Sequence, residues 1–147
     1  NGREVGLPIT SNVFAHPTFA KDHPDIVAKF LAVYLRAIAW ERAHPKETED
    51  MLGAFYTEQG VNIPAKFLPR ELKDRPAFTL KEQLDIFKGA GQGKSKADDW
   101  MNQVAEFMKS VGTLNKVPDS KEYVTDKFLL MIERDPALKK FAEDTSD

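Results

Sequence analysis

The run HPDIVAKFLAVYLRAIAWERAHP, residues 23–45, constrains this chain more than any other. Val27, Phe30, Leu31, Tyr34, Leu35 and Ile38 recur at helical spacing and predict an apolar stripe on a long helix. Asp22 and Pro24 mark its start, because proline fits the first turn and a short acidic side chain accepts unpaired N–H groups. His44-Pro45 marks its end, because the residue before proline is pushed out of the helical region. The predicted helix covers residues 24–43.

The rest of the chain is punctuated in the same way. A second helix starts at Pro45 and runs to about Glu58, with Met51, Leu52, Phe55 and Tyr56 on its apolar face and Gly60 ending it. Pro64 and Pro69 limit the stretch from Ile63 to Lys73 to a short helix, and Arg75-Pro76 breaks the chain. Thr79 and Glu82 have capping-box spacing before Leu80, Leu84, Ile86 and Phe87. Ser95 and Asp98 repeat it after the loop GAGQGKSK, ahead of a long helix with Trp100, Val104, Phe107, Met108 and Val111. Gly112 stops that helix, and Asn115 to Ser120 turn around Pro118. Two short helices follow, near residues 121–133 and 136–143, with Asp135-Pro136 between them.

One segment reads differently. Leu7 to Phe14, between Gly6 and His16-Pro17, mixes β-branched and small polar residues and predicts a strand or extended strap. The expected fold class is therefore mostly α with one or two strands near the N-terminus. A single segment, residues 1–147, is divided into an extended or hinge-strand region, 1–16, and a helical portion, 17–147. A lone strand leaves its N–H and C=O groups unpaired unless a sheet receives it. Residues 7–15 are thus expected to pair with polypeptide outside this sequence, or with a second copy. Asn1 in place of Met suggests a processed protein or an excised piece.

Composition excludes several function classes. With 21 Lys+Arg against 23 Asp+Glu, there is no cationic surplus to neutralise phosphates, so no nucleic-acid partner is expected. The absence of cysteine removes disulfides, thiolate metal sites and cysteine nucleophiles. His16, His23 and His44 lack metal-site spacing, and His23 and His44 stand at helix boundaries beside prolines. The loop GAGQGKS contains Gly93-Lys94-Ser95, but Lys88 stands where a phosphate-binding loop needs its first glycine, and a helix precedes it instead of a strand. Glu49-Asp50 and Asp98-Asp99 fall in first helical turns, where a negative charge opposes the helix dipole favourably. No Gly-x-Ser-x-Gly elbow occurs. These readings expect no enzyme, no cofactor and no metal. The aromatics Phe30, Tyr34, Trp40, Phe55, Tyr56, Trp100 and Phe107 are expected mostly in the core, with Trp40 and Trp100 able to line a cleft. Thr10-Ser11-Asn12 puts three small hydrogen-bonding side chains in one extended segment. They suit either a solvated strand end or a strand crossing a cleft floor, where they would hold a polar or anionic ligand.

The order of these parts resembles periplasmic substrate-binding proteins of the nitrate/sulfonate/taurine transport class. The resemblance lies in TSNVFA followed by FAKDHPDIVAKFLAVYLRAIAWERAHPKETEDML. Within it stand Phe19-Ala20, His23-Pro24-Asp25, Val27, Phe30-Leu31, Ala37, Trp40, His44-Pro45 and Glu47. The stretch DDWMNQVAEFMKSVGTLNKVPD, residues 98–119, resembles that family's closing helices. The resemblance implies the C-terminal portion of a two-lobed α/β fold that closes over a solute and delivers it to an ATP-binding-cassette permease, without catalysis. It also implies a periplasmic or membrane-anchored location and a missing N-terminal portion of the same protein. By position in that fold, Ser11 and Asn12, with Thr10 adjacent, would donate hydrogen bonds to an oxyanion. Arg75 and Thr79, before a predicted helix N-terminus, are second choices. The alternative reading is a helical protein–protein interaction module. Alone, the chain is expected to self-associate through apolar faces built for another lobe.

Overall fold

The computed structural model describes residues 12–75 and 77–146. Among the described residues eight α-helices follow one another: α1 Pro17–Asp22, α2 Pro24–Ala43, α3 Pro45–Glu58, α4 Leu68–Asp74, α5 Leu80–Phe87, α6 Lys96–Ser110, α7 Lys127–Arg134 and α8 Pro136–Ala142. Short 3₁₀ turns at Ala65–Phe67 and Ser120–Glu122 precede α4 and α7. The boundaries of α2 and α3 fall at the prolines that predict them. Gly60 and Gly112 follow α3 and α6 at φ of 73° and 77°, a conformation that costs other residues steric strain.

The expected α/β character is overturned. Among the described residues there is no strand; all regular structure is helical. Asn12 to Ala15 are exposed and carry no regular structure. The physical reason is that the described helices offer no open backbone edge to extend, so an extended segment finds no ladder here. Most of the expected strand, residues 7–11, lies outside the described residues. The helix α1 was not signalled by periodicity: PTFAKD is one short turn-and-a-half started by Pro17, with no buried residue.

Packing centres on α2, which lies against α7 and α8 and also meets α1 and α3. Ala28, Ala32 and Leu35 of α2 join Leu80, Leu129, Ile132 and Ala142 in the main core, with Leu31, Leu84, Phe87, Met131 and Leu138 packed around them. The alanines let α7 and α8 approach α2 closely. A second cluster joins Ile86, Ala97 and Val124, flanked by Phe78, Phe87, Ala90, Trp100 and Met101. Phe87 belongs to both clusters and ties α6 to the main core.

The expectation that the named aromatics lie mostly in the core is corrected. Phe30, Tyr34, Phe55 and Phe107 are exposed, while Trp40, Tyr56 and Trp100 are half-buried. The α2 stripe expected as a single face splits in two. Val27, Leu35 and Ile38 are buried, whereas Phe30 and Tyr34 project from the other side with Ile26 and Val33. Apolar residues therefore occupy two opposed sides of α2, the pattern of a helix covered on both.

Candidate functional site

Two concave regions flank α2. The first is a cleft of about 190 Å³ between α2, α3 and α4, lined by Glu41, Leu52, Tyr56, Glu71, Leu72 and Arg75. Arg75 follows the end of α4, and its Nε lies 3.3 Å from Glu71 Oε2, one helical turn back. The Tyr56 hydroxyl donates to the same carboxylate oxygen at 3.4 Å. Glu41 enters from the last turn of α2, where burial pushes its carboxyl up and the Arg42 charge partly offsets that. The cleft thus presents one guanidinium, 74% of whose side chain is exposed, one phenol and two carboxylates on a leucine floor. Such a lining suits a small molecule carrying both an anionic and a cationic group better than a bare anion.

The second region, about 300 Å³, is a groove between α2 and the C-terminal residues, lined by Val33, Arg36, Ala37, Trp40, Phe141 and Ser146. Arg36 lies over the Phe141 ring at 5.2 Å, 3.5 Å from Asp144, and donates to the Ser146 carbonyl at 3.2 Å. Its charge is therefore matched within the chain. The expectation that Trp40 lines a cleft fits this groove; its ring also stacks on His44 at 4.6 Å.

The candidate ligand residues go to different places. Thr10 and Ser11 lie outside the described residues. Asn12 is exposed and donates through Nδ2 to Met101 Sδ of α6 at 3.6 Å. Arg75 stands at the first cleft. Thr79 is the N-cap of α5, where its hydroxyl and backbone N–H both meet Glu82 Oε2, at 3.0 and 2.8 Å. That backbone bond is the leading reason the Glu82 carboxyl sits below its ordinary value; burial opposes it, and Arg42 also contacts the carboxylate. Glu41, Tyr56 and Glu71 of the cleft did not stand out in the sequence. The one local signal was the four-residue spacing of Glu71 and Arg75.

The glycine loop forms no phosphate cradle. Gly89, Gly91 and Gly93 all have positive φ and fold the loop back on itself, with Lys94 N–H donating to the Gly89 carbonyl at 3.4 Å. Directly after it Ser95 and Asp98 form a buried capping box. Asp98 Oδ2 accepts from the Ser95 hydroxyl and N–H, at 2.5 and 2.9 Å, and Asp98 N–H returns a bond to Ser95 Oγ at 3.0 Å. Burial pushes the Asp98 carboxyl up; the Ser95 and Ser120 hydroxyls, the Ser95 N–H and the Lys121 charge together outweigh it, and the net direction is down. The same carboxylate helps raise the Tyr123 phenol, behind burial as the first cause. This cluster staples the loop and the 3₁₀ turn onto α6. Among the described residues no group of histidine and carboxylate side chains is placed to hold a metal ion.

Comparison with known proteins gives one informative similarity. Over 129 residues, 88% of this chain, it is 22% identical to the "Putative aliphatic sulfonates-binding protein" of Bacillus subtilis (strain 168). The match covers 34% of that protein, so the chain spans about a third of the length of the curated relative it matches. No family model matches, and no solved structure matches. The similarity supports a distant relation to sulfonate-binding proteins, consistent with a binding role over a catalytic one. Among the described residues no helix is long and apolar enough to cross a membrane.

Proposed function

We propose that this chain is the helical part of a solute-binding component of an ABC importer, capturing a small sulfonate-like anion or organic solute without chemistry on it. The observation that carries this reading is the similarity, across most of the chain, to a protein described as binding aliphatic sulfonates. The two-sided apolar character of α2 supports it, because such a helix fits between this bundle and further polypeptide of the same protein. On this reading the component works outside the cytoplasmic membrane, in the periplasm or held at the membrane surface, and hands its solute to the permease.

Arg75 would hold the sulfonate group as a charge-assisted donor, shared with Glu71, whereas Asn12, bonded to Met101 of α6, stands apart from this cleft. Thr79 would reach a solute only by giving up its bond to Glu82. Glu41 and Glu71 beside Arg75 favour a solute that also carries an ammonium group, so an aminosulfonate is the preferred class. The test is a thermal-shift screen on the longest encoded form of the protein. Aminosulfonates are expected to raise the melting temperature more than alkanesulfonates, and both more than carboxylates of equal length. Equal shifts for every anion, or none, would overturn the proposal.

A second reading, a helical interaction module, is favoured by one observation. Val104 and Phe107 of α6, with Val111 directly after it, form an exposed apolar row, in addition to the one on α2. A pull-down in which the transporter permease is absent while another protein is retained through both rows would favour it.

A further inference from the structure

The charges around the cleft between α2, α3 and α4 do not all pair off. Arg75 is matched by Glu71, whose Oε2 lies 3.3 Å from the guanidinium Nε and also accepts from the Tyr56 hydroxyl at 3.4 Å. Arg42, beside Glu41 in sequence, reaches instead to Glu82 of α5. Glu41 is different. Its backbone carbonyl accepts from the Thr48 hydroxyl at 3.3 Å, but among the described residues its carboxylate has neither a hydrogen bond nor an ion pair. Burial pushes that carboxyl up, and among the described residues only the Arg42 charge opposes it. Arg75 lines the same cleft without acting on Glu41, so the guanidinium is not its counter-ion. The cleft therefore carries one unmatched charge, and it is negative.

This decides what the cleft can discriminate. A carboxylate drawn out of water costs free energy until a cation or a donor reaches it. A bare anion must share Arg75 with Glu71, and it leaves Glu41 unpaired beside a further negative charge. A solute with an ammonium group at its other end gives Glu41 both a counter-charge and N–H donors. Leu52 and Leu72 supply apolar surface for a methylene link between the two ends. At about 190 Å³ the cleft is smaller than those that take drug-sized ligands, so the link is short.

We propose that Glu41 is the specificity-determining residue of this cleft: its carboxylate binds a solute's ammonium group and so selects amino-substituted anions over anions of the same shape that lack the positive charge. This rests on the reading of the cleft as a solute site and goes further by dividing the two carboxylates. Glu71 positions Arg75, and Glu41 reads the solute.

Taurine and 2-hydroxyethanesulfonate differ by little more than an ammonium group against a hydroxyl, and calorimetric titration of each into the longest encoded form of the protein tests the assignment. Wild type should bind taurine about tenfold more tightly, as a hydrogen bond between charged groups exceeds one to a neutral group. Glu41→Gln should bring the two affinities to within about twofold, with the loss on the taurine side. Glu71→Gln should keep the preference for taurine, because Glu41 remains. Without ligand, Glu41→Gln should melt no lower than wild type, because it removes a charge that burial disfavours; a purely structural role would lower it. Heats of dilution alone for both ligands would overturn solute capture and this assignment with it. Equal affinities in wild type, a preference that survives Glu41→Gln, or one that Glu71→Gln abolishes would overturn the assignment of Glu41 and leave solute capture standing.

Discussion

Ser95→Ala is the perturbation whose effect the structure defines most fully. It removes the N-cap of α6, worth about 1 kcal/mol. It also strips a hydrogen bond from the fully buried Asp98 carboxylate, a loss of about 1.5–2 kcal/mol because hydrogen bonds to charged groups exceed neutral ones and no water replaces the donor. Together these give about 2.5–3 kcal/mol, or a melting temperature lower by about 8–10 °C for a chain of this size. Asp98→Asn separates charge from shape. A carboxyl held below its ordinary value stabilises the fold above that value and ceases to do so as pH falls through its folded value. The gap in stability between wild type and Asp98→Asn should therefore be full at neutral pH and close as pH falls below the ordinary carboxylate range. Thermal unfolding followed by circular dichroism from neutral to strongly acidic pH reads both effects. A Ser95→Ala protein melting within about 1 °C of wild type, or a gap for Asp98→Asn that widens in acid, would refute the reasoning.

Other consequences are open to direct measurement. Leu35→Ala, at a site 2% exposed in the main core, should cost about 3 kcal/mol in urea unfolding, whereas Phe55→Ala, exposed on α3, should cost under about 0.5 kcal/mol. Gly60→Ala should lose about 1 kcal/mol purely from backbone strain at φ 73°, since nothing lies within 4 Å of the added carbon. Gly93→Ala, at φ 70° with its added carbon 2.9 Å from Lys121 Cε, should cost only slightly more, because a lysine stem can move. Thr79→Ala should destabilise by about 1 kcal/mol in the same assay through loss of the α5 cap.

Helix limits were legible in the sequence because they are set locally. Pro24, Pro45 and Pro136 each occupy a first turn, and the Thr79–Glu82 and Ser95–Asp98 boxes form as their spacing requires. Burial was less legible because it depends on what the rest of the chain supplies. The period of α2 identifies Phe30 and Leu35 as apolar but not which side receives α7 and α8; Ala28 and Ala32, small and unremarkable in a hydropathy pattern, decide it by allowing close approach. The burial of Asp98 depends on Ser120 and Lys121, more than 20 residues away, and no local pattern reports that. Arg75 was singled out for its place before a predicted helix N-terminus, but the cleft it borders depends on Glu41 and Tyr56 from two earlier helices, which no local pattern reports. The β-branched composition of residues 7–14 suggested a strand that the described helices have no edge to accept.

Calorimetric titration of an aminosulfonate such as taurine into the longest encoded form of the protein, beside its Arg75→Ala variant, tests the claim of solute capture most directly. Saturable one-to-one binding, weakened at least tenfold by the loss of the guanidinium (about 1.4 kcal/mol), is the predicted result. Heats no larger than dilution for both proteins would contradict it.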